Sequence, residues 1–234
     1  MTEAEWQAVR LTLLVAFTAV AASLPLAIAV GWLLAKLEFP GKLLVEVLVN
    51  LPLVLPPVVT GYLLLVAFGQ RGWFGRWLDA IGLRFVFDWK GAVLAAAVVG
   101  FPLLVRPIRL AFAAVDDRLI QAARTLGAGP FDAFWTIALP LSRAGICSGC
   151  VLAFARSMGE FGATIMIAGS IPGQTRTVPL MIYSLIDAPG GFAQSYRLVL
   201  VAIALAAAAL LAGEWLEQRG RRRLLGSTDG VVNR

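Results

Sequence analysis

Apolar residues along the chain gather into five long blocks, separated by segments rich in charge, glycine or proline. The blocks cover roughly residues 10–35, 43–69, 91–113, 144–168 and 196–216. A helix of about 20 residues crosses the hydrocarbon core of a bilayer, and each block reaches that length. The pattern predicts an all-α membrane protein with five transmembrane helices, forming a single transmembrane domain over residues 1–234. The first block offers small residues at Ala19–Ser23, as a cleaved leader would. Its flank, however, sets Glu3 and Glu5 against Arg10 where a leader needs a basic region, and the apolar run continues to Ala35, so a retained helix is expected.

One segment between the third and fourth blocks is not lipid-like. Over residues 116–140, Asp116 and Asp117 supply an N-cap and a first helical turn. Leu119, Ala122, Ala123 and Leu126 then recur at i, i+3, i+4 and i+7, which is one face of a helix. Gly127-Ala128-Gly129-Pro130 stops that helix, and glycine there permits a positive φ and close backbone approach. Phe131, Phe134, Trp135 and Ala138 give a second short helix an apolar side, and Pro140 precedes the next span. The expected structure is a helix-turn-helix with apolar anchors for a partner's groove. The alternative is a helix pair lying on lipid.

Polar residues inside the blocks mark a second region. The second block contains Glu46, Asn50, Pro52, Pro56, Pro57, Thr60 and Gly61. Prolines free backbone carbonyls, which within a membrane must be satisfied by neighbours or line a water-filled cavity. Asn50, Pro56, Pro57 and Thr60 are therefore candidates for a kinked helix beside a polar passage, as in the broken helices of transporters; a kink satisfied by packing alone is the alternative. The fourth block contains Arg156 and Glu160, four residues apart. At ~1.5 Å per residue, Arg156 would lie roughly 18 Å along a helix that starts at Ala144. A charge at that depth must face the bundle interior, paired or wet. It is an attractive point on an anion route or an ion pair that fixes packing, and the sequence leaves both open.

Five spans place the termini on opposite sides. With the N-terminus outside, the cytosolic side carries Lys36, Lys42, Arg106, Arg109, Arg118, Arg124, Arg143, Arg219, Arg221, Arg222, Arg223 and Arg234. The outer side carries only Arg10, Arg71, Arg76, Arg84, Lys90, Arg176 and Arg197. This excess predicts N-out, C-in. Trp32, Trp135 and Trp215 then fall near the inner interface, and Trp6, Trp73, Trp77 and Trp89 near the outer one, as an aromatic belt requires. The net charge of +6 needs no nucleic acid, because Arg221–Arg223 beside a span serve as an anchor to anionic lipid. Outside, Pro172-Gly173 reads as a turn. Residues 180–186 read as a short re-entrant or interfacial helix closed by Pro189-Gly190-Gly191.

Composition fits and narrows this picture. The chain is 59% hydrophobic and 15% charged, with mean hydropathy +0.83, whereas soluble domains run at about half apolar and a quarter charged. It has no histidine and only Cys147 and Cys150, so neither a disulfide framework nor a histidine-containing zinc site can be built. Cys147-Ser148-Gly149-Cys150 has redox-motif spacing but opens an apolar helix, where small residues serve close helix approach. Gly41-Lys42 lacks both the preceding glycine and the following hydroxyl of a phosphate-binding loop, so no Walker-type nucleotide site is expected. An intramembrane enzyme would need a nucleophile–base or metal constellation, and Arg156 with Glu160 suggests no such reaction.

The segment Gln121-Ala122-Ala123, Gly127, Ile137, Leu139-Pro140 resembles the cytoplasmic loop motif of binding-protein-dependent ABC importer permeases, spacing intact. Gln121 stands where the family pattern has glutamate. More narrowly, the chain resembles the membrane subunit of molybdate importers, through Leu51–Val59, Ala122–Gly129, Phe154–Thr164, Arg176–Pro179 and Pro189–Gly191. The resemblance implies a type I ABC importer permease fold and a homodimeric pore in a bacterial inner membrane. It implies two separate ATPase subunits that bind ATP and Mg, and a periplasmic oxyanion-binding protein. Gln121, Ala122, Ala123, Leu126, Gly127, Ile137, Leu139 and Pro140 would couple the chain to the ATPase. The cargo would be molybdate or tungstate, with sulfate, thiosulfate or another oxyanion as the alternative.

Overall fold

The computed structural model describes the backbone of residues 1–70, 72–188 and 191–232, and the side chains of these except 193 and 216–232. Arg71, Pro189, Gly190 and Arg234 lie outside the described residues, as do the side chains of Arg219 and Arg221–Arg223. Every regular element described is helical.

Helix α1 (Glu3–Lys36) starts at a reciprocal cap, in which Glu5 N–H donates to Thr2 Oγ1 and Thr2 N–H to the Glu5 carboxylate. It exceeds the expected first span because this cap recruits the polar residues ahead of the apolar block. The second apolar block becomes two helices, α2 (Lys42–Val54) and α3 (Pro57–Phe68), bent by 114°. Leu55 and Pro56 each precede a proline, which disfavours helical backbone, and both are extended at ψ 141° and 132°. The kink expected from Pro56 and Pro57 is thus a full break. A short helix, α4 (Trp73–Ala80), follows where the sequence showed no long apolar run. Helix α5 (Trp89–Ala113) is capped by Asp88, which accepts from Lys90 N–H at 2.9 Å.

The polar connector after α5 holds α6 (Asp117–Thr125) and the first turn of a second helix, α7 (Pro130–Ala133). That second helix does not end before Pro140. It runs through a π-helical turn at Phe134–Ala138 into α8 (Leu139–Met158), giving one 29-residue helix from Pro130. Proline cannot donate to the carbonyl four residues back, and the wider turn, with Leu139 N–H donating to Phe134 O, carries the helix past it. At its far end the fourth span, expected to be continuous over 144–168, breaks after Met158 and resumes as α9 (Gly162–Ala168). Helices α10 (Val178–Ile186) and α11 (Gly191–Val232) complete the chain.

Among the described residues, four helices are long and apolar enough to cross a membrane, and the bent α2–α3 pair makes up to five. The core lies between α1, α5 and α8. Ala19 of α1 packs with Ala92, Ala95, Ala96 and Val99 of α5. Further along, Ala27 and Leu34 meet Leu104, Ile108 and Phe112, with Ala138 and Ala153 from the fourth span. Glycines set the spacing: a Cβ on Gly145 would lie 2.7 Å from Pro107 O, and one on Gly149 2.7 Å from Leu104 O. Gly145 and Gly149 are one helical turn apart, so α8 lays bare backbone along α5, the close approach that small residues allow in membranes.

Candidate translocation path and docking segment

The connector is tied to the bundle at one end and bare at the other. Asp116 caps α6 by accepting from Arg118 N–H at 2.9 Å. The Lys36 ammonium, at the end of α1, donates to Val115 O at 2.7 Å and pairs with Asp117 at 2.5 Å. Trp32, Phe112 and Phe134 form an aromatic cluster with centroids 5.2–6.0 Å apart, joining α1, α5 and the second connector helix. At the turn, Ala128 N–H donates to Ala123 O and Gly127 N–H to Arg124 O, the paired bonds of a glycine-closed helix end. Gly127 has φ 94° with open space around its Cα, the positive φ the turn composition calls for.

Away from these anchors the apolar stripe is uncovered. Leu119 is 48% exposed, Leu126 90%, Phe131 75% and Trp135 53%. Ala122 is exposed and Ala123 half-buried. Gln121 lines a groove of about 800 Å3 between the helix pair and the end of α1. Ile137 and Leu139 are half-buried where the segment joins α8, and Pro140 is exposed.

The two broken spans meet. A Cβ on Gly162, at the start of α9, would lie 2.9 Å from Pro57 Cβ and 3.2 Å from Val58 N; one on Gly61 would lie 2.7 Å from Ala163 Cα. Arg156 and Glu160 sit at this junction. They do not share a helix face as the spacing suggested, because α8 ends at Met158 and Glu160 lies in the break. The pair forms nonetheless, Arg156 Nη1 to Glu160 Oε2 at 2.8 Å. Glu160 Oε1 accepts from Ala163 N–H at 2.8 Å, so the carboxylate also holds the first turn of α9. The Glu160 side chain is 1% exposed and that of Arg156 30%; one partner is interior and the other reaches outward. Pro56 is exposed, Pro57 is half-buried and Thr60 is buried. The Thr60 hydroxyl has no hydrogen-bond partner among the described residues.

Closer to the connector, the candidate Asn50 and its neighbour Glu46 meet two arginines that the sequence assigned to the cytosolic side. Arg109 Nη2 pairs with Glu46 Oε1 at 2.8 Å, and Arg106 Nε donates to Asn50 Oδ1 at 2.7 Å. Asn50 is itself fixed, its Nδ2 donating to Glu46 O at 2.7 Å. Positive residues in the third apolar block and polar or acidic ones in the second were the available signal.

Residues 8–222 match the family described as Binding-protein-dependent transport system inner membrane component. The chain belongs to this family. It is 56% identical over 224 residues to the Molybdenum transport system permease protein ModB of Escherichia coli K12, covering 95% of this chain and 98% of that one. It is 35% identical over 176 residues to the Sulfate transport system permease protein CysW of Synechococcus elongatus, covering 75% and 62%. The fold matches the crystal structure of a bacterial ABC transporter involved in the import of the acidic polysaccharide alginate, with TM-score 0.69 and 19% identity over 95% of this chain and 80% of that one.

For a transport-system membrane component, the arrangement separates two tasks. The broken spans leave backbone ends and the Arg156–Glu160 pair within the bundle. The connector leaves an exposed apolar stripe on an element tied to α1, α5 and α8.

Proposed function

We propose that this chain is the permease subunit of an ATP-driven importer that moves molybdate, and tungstate by the same path, from periplasm to cytoplasm by alternating access. The observation that carries the substrate is the 56% identity to a molybdenum permease over nearly the whole of both chains. The sulfate permease is less similar and matches over a shorter stretch. The permease works as a pair of identical copies in the bacterial inner membrane, N-terminus outside and C-terminus in the cytosol. A periplasmic oxyanion-binding protein delivers the cargo.

Two ATPase subunits bind ATP and Mg and receive the connector, whose stripe from Leu119 to Trp135 is bare in the single chain. Bare leucine and aromatic side chains on short helices are the anchors a partner groove takes up. Gln121 donates and accepts hydrogen bonds at the groove floor without carrying charge. Within the membrane, Arg156 draws the oxyanion while Glu160 tempers its charge. An import path has to be attractive enough to enter and weak enough to leave.

The test is ATP-dependent uptake by vesicles holding the complete complex and its binding protein. Molybdate and tungstate should be carried, and excess sulfate should compete poorly. Preferential carriage of sulfate would overturn the substrate assignment.

A further inference from the structure

The cluster of Glu46, Asn50, Arg106 and Arg109 is built asymmetrically. Arg109 is neutralised by Glu46 at 2.8 Å. Arg106 is held by a neutral amide, through Nε alone, and that amide is locked by its own bond to Glu46 O. The outer nitrogens of Arg106 have no partner among the described residues, and its side chain is exposed. One guanidinium is therefore oriented yet left with its full charge. It lies inside a 25-residue apolar helix, seven residues before the end at Ala113, where an uncompensated charge requires water or an anion.

Its depth can be placed against Arg156. Helices α5 and α8 are antiparallel: Gly100 faces Ser157, while Leu104 faces Gly149 and Pro107 faces Gly145. Arg156 is thus level with Gly100. Arg106 lies six residues further along α5, about 9 Å nearer the connector at ~1.5 Å per residue. We propose that Arg106 is a second oxyanion contact, about one and two-thirds helical turns inward of Arg156 in the same path. It rests on the import reading above. Two stations of partial affinity in series let an ion step inward without the trap that one strong site would make.

The experiment uses the complete complex in vesicles and reads molybdate moved per ATP hydrolysed. Arg106→Gln should lower that ratio by about tenfold, while Arg106→Lys should hold it within about threefold, because lysine keeps a point charge but not the arginine fork. If lysine is as poor as glutamine, Arg106 acts through its bond to Asn50 and the proposal fails; a normal ratio for glutamine also overturns it. A second measurement needs no substrate. Arg106→Cys, in a chain with Cys147 and Cys150 replaced by alanine, should react with a water-soluble methanethiosulfonate reagent in the assembled complex. Protection with and without ATP would mean lipid or a protein contact covers the position, and would overturn the proposal. If vesicles carry sulfate instead of molybdate, the import substrate is wrong, and the same ratio read with sulfate still tests Arg106.

Discussion

The α1–α5–α8 core and the connector both consist of helices with apolar stripes, and they use those stripes in opposite ways. In the core, alanine and glycine face alanine, valine and bare backbone, and Ala92, Ala95, Ile108 and Phe112 have no exposure. In the connector, larger residues such as Leu126 and Phe131 stand largely exposed. The difference separates contacts closed within the chain from apolar surface the chain leaves open. Small residues at contact close the distance between helices that lipid cannot push together. Large apolar residues held in the open are of the kind that anchor a partner where one binds.

The contrast breaks most severely in the core. Gly149→Leu would press a side chain onto Leu104 O, a backbone atom that cannot swing aside. Overpacking costs typically about 1–3 kcal/mol and more where backbone must move, so we expect loss of the monodisperse permease in size-exclusion chromatography. A normal profile would mean that α8 and α5 are not locked by their glycines. Next in size is the turn. Gly127→Val meets open space but must hold φ near 94°, a strain of about 1–3 kcal/mol confined to the connector. The permease should insert and purify while retaining little ATPase in pull-down; full retention would deny the turn its role.

Phe131→Ala sharpens the contrast further. Its ring is 75% exposed, and exposed substitutions change fold stability by only about 0.5 kcal/mol, whereas a buried anchor at an interface contributes about 2 kcal/mol. The melting temperature should hold while ATPase affinity falls roughly thirtyfold. The smallest effect is expected at Lys36→Met. Its partner Asp117 is 68% exposed, and such pairs contribute about 0–1 kcal/mol. A slight drop in melting temperature is expected, and a large one would make this ion pair, rather than the aromatic cluster, the main tie of the connector.

The apolar blocks made the membrane helices legible, and the stripe from Leu119 to Leu126 with Gly127 made the connector legible, because both depend on local periodicity and turn chemistry. The π turn before Pro140 was not legible: whether a helix stops at proline or widens around it depends on the packing of Phe134 and Ala138. The break after Met158 was hidden for a similar reason, since Glu160 holds the next helix through a bond to Ala163 that sequence spacing does not reveal. Arg106 and Arg109 were counted only as cytosolic-side charges because each apolar block was taken by itself. Their meaning comes from Asn50 and Glu46 on a neighbouring helix, a contact between blocks that only the fold supplies.

On the proposed function, the bare stripe of the connector is where this permease receives the ATPase. The most direct test is Leu126→Asp in the complete complex, at a side chain 90% exposed in the single chain. The variant permease should insert, fold and purify at the normal level, retain no ATPase, and support no ATP-dependent molybdate uptake. Full ATPase retention with normal uptake would contradict it.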